Sequence, residues 1–580
     1  MTFREEAMTK NAAWLLIAFV GVAGPARVEG QTSAARSVLS APTHCAVPWT
    51  SPVTDAALQS DEPIAPLLEG LGSLHYDIST TVPRAQTFFD QGLRLVYAFN
   101  HAEAVRAFKE AQRVDPTCAM CYWGESYALG PNINDPLPPE REAQAYVVLQ
   151  RALEHRHHAT AVEQALIDAL TARYVEDPAA GDRRQLDLAF MDAMASVAER
   201  FPDDPEVRTL HAASIMETRP WEYWNGDQPN PGIATAVSTL EWIIANYPDH
   251  PGAHHYYIHV VEATSTADRG ISSAEKLESL MPGAGHLVHM PSHIYMRVGR
   301  YADASASNER AILADEDYIA QCQAQGIYPI GYYPHNIHFL WSASTMERRS
   351  DVAIDSARKV AAKMPKDFLE EFVAGQDFLA TPYYALVRFG KWDEMLTEGA
   401  PPAAFAYQTA MWHYGRGVAF IGDGQLERAR AELATLETFA SHAQLQGVEL
   451  ASTSLTSLVE LAAHIVRGEL AAKEDRFDEA VTELTRAVEM QDAQRYNEPT
   501  TWHYPVRQAL GAVLLDSGQA KEAEAVYVED LRRNPENGWS LFGLAAALEA
   551  QGRSTEAEAV DARFRRAWTR AHVPLTASRF

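Results

Sequence analysis

Cysteine is scarce in this chain, basic residues are outnumbered, and apolar runs are short. Each shortage excludes something. Four cysteines in 580 residues cannot staple a chain of this size, so a disulfide framework is not the source of its stability. Cys118 and Cys121 form a C-x-x-C, while Cys45 and Cys322 stand alone; the order Cys-Ala-Met-Cys-Tyr lacks the histidine that haem attachment needs. Packed, unreactive thiols are expected, with a Cys118–Cys121 or a Cys45–Cys322 bond as the alternatives. Lys and Arg number 49 against 77 Asp and Glu, a net charge of −28. A field of that sign repels nucleic acid and anionic membrane, so no nucleic-acid partner is expected, and solubility alone accounts for the acidity. Several catalytic signatures are missing too. There is no nucleophile elbow, no phosphate-binding loop and no dinucleotide fingerprint. The H-x-x-x-H pairs lack the glutamate that would serve as a zinc-protease base. Sustained β-alternation is absent throughout.

The one apolar run near the start, Ala12 to Ala23, follows Arg4 and Lys10 and precedes small residues through Gly30. It is short for a bilayer span and reads as a secretory signal over residues 1–30. Cleavage falls between Ala26 and Gly30, and Met8 is an alternative start. No later stretch is apolar enough to span, so the mature protein is expected to be periplasmic or secreted, without a membrane span. Residues 31–83 are rich in Ser, Thr, Ala and Pro and read as a linker and lead-in.

What is abundant is helical pattern, from about Arg84 to Ala571, with 47% apolar residues to bury. Gly92, Ala104, Phe108, Ala111 and Pro116 recur in spacing as Gly511, Ala523, Tyr527 and Pro535. Gly417 with Ala429, Gly468 with Ala480, Ala545 with Ala557, and Ala353 with Pro365 mark further units; Pro248 and Pro282 are 34 apart. These residues resemble the tetratricopeptide repeat, a helix pair with small residues at the crossing. The resemblance implies an all-α fold, a right-handed α-solenoid in which each pair buries its apolar face against its neighbours. Residues 84–204, 205–365 and 366–580 are read as N-terminal, His-rich central and C-terminal units. Residues 131–139, 218–232 and 317–333 break the period, and inserts in such arrays collect on one face, often the functional one.

Nine of the 21 histidines lie between His250 and His338. His255 and His259 are followed by Glu262; His286, His289 and His293 come next; His335 and His338 close the stretch. Spacings of three and four place each group on one helix face. His255 to His289 and His259 to His293 are both 34 residues apart, one repeat length. On the register set by Pro248 and Pro282 and, after the 317–333 insert, by Ala353, His250 and these seven histidines with Glu262 fall where the resemblance places the ligand-binding concave face, and His254 does not. Pro291 cuts against a continuous helix there, and a helix starting at Pro291 would leave His286 and His289 in the approach to it.

Imidazoles in phase on neighbouring helices point to a transition-metal site: copper by preference, iron or zinc as alternatives, with more than one ion accommodated by so many ligands. Tyr256, Tyr295 and Arg297 are the catalytic candidates, with Glu217 and Asp377 as further proton-transfer groups. Oxidation by copper or iron and metal-assisted hydrolysis both fit. The competing readings are a metal carrier without chemistry and a scaffold holding a peptide, protein or small molecule in its concave groove. The histidines then stack, cap or contact a partner. Trp412 with His413, and Trp502 with His503, are expected to pack between repeats. The segments GHLVHMPSHIYMRVGRY and YYPHNIHFLW resemble those of a bacterial group of exported tetratricopeptide proteins, which strengthens the fold and leaves the activity open.

Overall fold

Eight times among the described residues a helix ends, one residue takes a left-handed backbone, and a second helix starts two residues later. The turn residues are Phe99, Gly299, Arg348, Gly390, Gly424, Asp475, Gly518 and Gly552, with φ between 54° and 78°. Five are glycine, the residue that adopts this conformation without steric cost. Repeated helix–turn–helix pairs are therefore the unit of construction, and the chain is all-α. The computed structural model describes residues 62–321, 326–571 and 574–579. The expected leader, most of the lead-in, Cys45 and Cys322 lie outside the described residues. Strands among the described residues are limited to two short hairpins, Trp224–Asn225 with Gln228–Pro229 and Glu449–Leu450 with Thr453–Ser454.

Where the helices cross, the small residues do what the repeat pattern requires. A Cβ on Gly92 would meet the Phe108 ring at 2.6 Å, and one on Gly124, in the next pair, would meet the same ring at 2.4 Å. Gly511 and Gly543 hold Tyr527 in the same way, at 2.4 and 2.2 Å. Ala353, Ala429, Ala480 and Ala523 are fully buried at their crossings. Helix starts are capped locally: Asp204 Oδ1 accepts from Val207 N–H at 3.0 Å, Asn537 Oδ1 accepts from Ser540 N–H at 2.8 Å, and Thr160 with Glu163 forms a capping box.

The chain divides into two compact units. Among the described residues, the first comprises those up to Pro291 together with Arg310–Tyr333; the second comprises Ser292–Glu309 and those from Pro334 onward. In the first unit the array does more than stack neighbours. The helix Pro251–Val261 crosses Pro83–Tyr97 so closely that a Cβ on Gly252 would lie 2.6 Å from the Tyr97 ring. Tyr97 also donates its hydroxyl proton to Glu206 and packs its ring against His250 at 5.4 Å. In the second unit one apolar core runs from Trp341 to Ala557, and here too distant segments meet: Tyr301 donates to Pro535 O at 3.0 Å, and Trp539 Nε1 to Thr345 O at 3.4 Å.

Two expectations change. Cys118 and Cys121 are buried but not free thiols; a disulfide joins them. Pro291 does end a helix. Gly285–His289 is a short helix closing with Met290 N–H on His286 O at 3.0 Å, and a new helix, Pro291–Arg297, starts at the proline. The ring of Pro291 offers no N–H to continue the first.

The shared Phe108 contact predicts that Gly124→Val destabilises the chain by about 1–3 kcal/mol through overpacking. Urea unfolding measures it, with Gly399→Ala as control, since nothing lies within 4 Å of a Cβ at Gly399.

Candidate metal centre

Each histidine in the His-rich stretch is spent differently, and the hydrogen bonds sort them. His250 caps the helix Pro251–Val261: its Nδ1 accepts from Ala253 N–H at 3.0 Å, and its Nε2 faces Glu206 Oε1 at 3.1 Å. His254 is held between Ser273 Oγ and Pro248 O at 3.0 and 2.9 Å, and burial lowers its pKa. Neither is presented as a ligand.

His255 and His259 share the other helix face, with ring centroids 4.9 Å apart. His255 Nδ1 lies 2.6 Å from the carbonyl oxygen of Tyr97. A carbonyl only accepts, so Nδ1 carries the proton and Nε2 carries the lone pair. His259 Nδ1 lies 2.9 Å from Glu262 Oε1, and a carboxyl oxygen that accepts there fixes the same tautomer. The third imidazole is His286 on Gly285–His289. Gly285 lets this short helix sit against Asp315, whose Oδ1 would lie 1.9 Å from a Cβ there. Tyr328 donates to Asp315 Oδ1 at 2.7 Å and accepts from His286 N–H at 3.1 Å, which pins the helix from behind.

His286 Nε2 thus stands 3.1 Å from His255 Nε2. One nitrogen from each of His255, His259 and His286 falls within a 4.8 Å span. All three side chains are at most 1% exposed, and Glu262 is fully buried. The repeat register places these residues on an open concave face; instead the approach of Tyr97 and Phe99 closes over them.

The walls come from the segments that break the repeat. Trp221, from the 218–232 insert, sets its ring edge-on to His259 at 5.4 Å and donates Nε1–H to Ile133 O of the 131–139 insert at 3.1 Å. Tyr332, on the π-helical turn Tyr328–Tyr332 of the 317–333 insert, lies 4.6 Å from the His286 ring. Phe99, one of the left-handed turn residues, packs on all three imidazoles at 4.4, 5.9 and 5.5 Å. Sequence reasoning singled out the inserts but not Trp221 within them. It missed Tyr97, Phe99, Asp315 and Tyr328 as parts of the site. For Phe99 the available signal was a bulky residue at a turn position that other units fill with glycine.

His289 lies one turn on, its ring 5.8 Å from that of His286. His293, His335 and His338 belong to the second unit. There His293 pairs with Glu498, a partner no spacing pointed to, and its ring stacks on Phe339 at 4.7 Å and lies 5.8 Å from His335. His338 is sandwiched by aromatics, stacked on Trp341 at 4.8 Å and edge-on to Phe378 at 5.1 Å. Tyr256 is buried beside His255, and that burial raises its hydroxyl pKa well above the usual range, so it is a poor proton donor. Tyr295 lies under the Arg300 guanidinium at 4.3 Å and Arg297 over the Tyr496 ring at 5.5 Å, both in the second unit. Glu217 pairs with Arg173 at 2.5 Å, and Asp377 accepts from Tyr384 at 3.0 Å; burial lifts both carboxyls to about 7. Trp502 and His503 pack in the core as expected, His503 stacked on Tyr384 at 4.5 Å.

No family model matches the chain, and no curated protein matches it. Among solved structures, the human IFIT1 dimer with m7Gppp-AAAA is 11% identical, with 74% of this chain and 86% of that one covered at a TM-score of 0.32. Cut9 in the APC/C Cut9–Hcn1 hetero-tetramer is 11% identical, covering 83% and 76% at 0.31. Yeast Tom70 is 10% identical, covering 84% and 90% at 0.27. The fold assignment rests on the helix pairs described above, and the chemistry of the site rests on its own residues.

Burial draws the His338 pKa down to about 3. An unfolded imidazole titrates near 6.5, so between these values the unfolded chain binds the extra proton and stability is lost as pH falls. His338→Phe should lessen the loss between about pH 7 and about pH 5 by up to about 2 kcal/mol relative to the parent chain. Urea unfolding at the two pH values measures this. An unchanged pH dependence would contradict the sandwich.

Proposed function

We propose that this chain is a metalloprotein whose first unit holds a transition-metal ion on His255, His259 and His286. The observation that carries the reading is the facing pair of nitrogens, His255 Nε2 and His286 Nε2, 3.1 Å apart with His255 Nδ1–H committed behind to Tyr97 O. Metal–nitrogen bonds of about 2.0–2.1 Å put two tetrahedral ligands on one ion at roughly 3.3 Å from each other. Metal-bound histidines ordinarily donate their second nitrogen to a carbonyl or carboxylate, as His255 and His259 do here. Within this unit Glu262 accordingly acts on His259 rather than as a ligand of the trio. Lone pairs turned toward one another in a buried site repel unless a cation or a proton lies between them.

Three imidazoles with no thiolate suit copper, iron or zinc, copper by preference. Three protein ligands leave a position open, the feature that separates a reactive site from a closed structural one. The bound ion would supply Lewis acidity or electron transfer; Phe99, Trp221 and Tyr332 would exclude bulk water. A site this buried has no room for a polypeptide. Oxidation and metal-assisted hydrolysis both remain within this reading, and so does export through the N-terminal leader. That nucleic acid is not the partner rests on the net charge of −28 alone.

A metal-free scaffold for a protein or peptide is the competing reading, with His255 and His286 joined by an N–H···N bond. The complete burial of the trio favours it over histidines working in an open groove. Elemental analysis of exported protein, purified without chelators or a histidine tag, separates the two. About one equivalent of copper, iron or zinc is expected. His255→Ala with His286→Ala should release it while far-UV dichroism is unchanged. Glu262→Gln should weaken retention by about tenfold, through His259. Absence of metal, with none taken up on addition, would sink the proposal.

A further inference from the structure

The second unit carries two arginines without a counter-charge. Arg388, at the end of Gln376–Arg388, is 1% exposed. Its Nη2 donates to Gln508 Oε1, a neutral acceptor, while Nε and Nη1 make no hydrogen bond. Its guanidinium lies 3.5 Å over the Trp539 ring and 5.0 Å over Tyr504. Arg348 approaches the same tryptophan at 4.8 Å and Trp568 at 5.9 Å, and its Nε and Nη1 are likewise without an acceptor. Among the described residues neither arginine forms an ion pair. Their neighbours differ: Arg349 pairs with Glu309 at 2.9 Å, and Arg570 with Glu347 at 3.1 Å. Asp530, the buried acid that acts on Arg388 through space, is already engaged by Ser540, Asn534 and Asn537.

Guanidinium groups do not deprotonate in proteins, and a buried charge without a partner is strongly unfavourable. A flat aromatic face attracts one guanidinium, but two around one ring repel each other. A second observation shows that the placement of Arg348 is not incidental. It occupies the left-handed turn, φ 56°, that five of the eight helix pairs fill with glycine. A bulky residue there costs backbone strain, and strain of that kind collects at functional positions. Trp568 adds a further donor, its buried Nε1–H having no acceptor.

We infer that Arg348 and Arg388, arranged around Trp539, form a binding site for an oxyanion, the phosphate or carboxylate group of a small ligand. Arg348 is the half-buried entrance and Arg388 the buried floor. Gln508 positions the floor, accepting from Arg388 while donating to Asn537 at 3.1 Å. Planar guanidinium forks match both anion geometries, so the class is set by charge and oxygen acceptors rather than by shape.

Calorimetric titration of the full chain in chloride-poor buffer, with inorganic phosphate and separately with succinate, tests this. Saturable binding of about one equivalent of either anion is expected, and which one binds tells a phosphorylated from a carboxylate ligand. Arg348→Gly restores the usual turn residue, so the thermal midpoint without anion should hold or rise while affinity falls at least about tenfold. Arg388→Met should show the same loss if it folds. No saturable binding of either anion by the parent chain, or parent-like affinity in Arg348→Gly, would overturn the inference.

Discussion

Gly252 decides whether the first unit has a buried histidine trio. Without a side chain, it lets Pro251–Val261 close on Tyr97, where any Cβ would collide with the ring at 2.6 Å. That approach carries His255 Nδ1 to the Tyr97 carbonyl, 158 residues away in sequence. The bond fixes the tautomer, which turns Nε2 toward His286. Remove the approach and the imidazole is free to adopt either tautomer and either orientation. A solenoid whose units touch only their neighbours could not make this contact. The closure of the unit on itself is therefore what converts a helix face bearing histidines into a buried trio.

The same logic runs through the turns. Five of the eight left-handed positions are glycine, the inexpensive choice. Asp475 is tolerated there because its short polar side chain suits the region. Phe99 and Arg348 have no such excuse. Each stands where its own unit brings distant segments together: Phe99 against the helices carrying His255 and His286, Arg348 against Trp539. In both places the repeat supplies a rigid frame and the turn residue puts a bulky side chain against the cluster. Glu536, also left-handed at φ 53°, follows Pro535 in another type of turn, and its carboxylate pairs there with Arg563 at 2.5 Å.

Much of the architecture was legible because it depends on local pattern. Glycine, alanine and proline at repeat spacing predict helix pairs, and Gly92, Phe108 and Gly124 meet as that pattern requires. The histidines were legible in number and neighbourhood but not in pairing. A spacing of 34 couples His255 with His289; the structure couples it with His286, because Pro291 ends the helix early and leaves Gly285–His289 as a separate piece. Glu262 was visible by its spacing from His259, but spacing could not tell a ligand from the acceptor of the His259 Nδ1 proton. Tyr97 was invisible, since the group it offers is a backbone carbonyl that any residue carries. Arg388 was invisible because a missing counter-charge is a fact of three dimensions.

The inserts connect these points. A repeat array has no intrinsic means of sealing a polar cluster, since each helix pair is shaped to bury an apolar stripe. Sealing the trio took residues outside the repeat: Trp221 held by Ile133 O, and Tyr332 on a π-helical turn. π-Helical turns interrupt the regular hydrogen-bond ladder and persist where a side chain must be aimed. Two departures from the period thus meet the imidazoles, and a third holds one of them in place. A chain that needed those histidines only as apolar filler would have had no use for them, because leucine at the same helix positions would pack without tautomers to fix or lone pairs to satisfy.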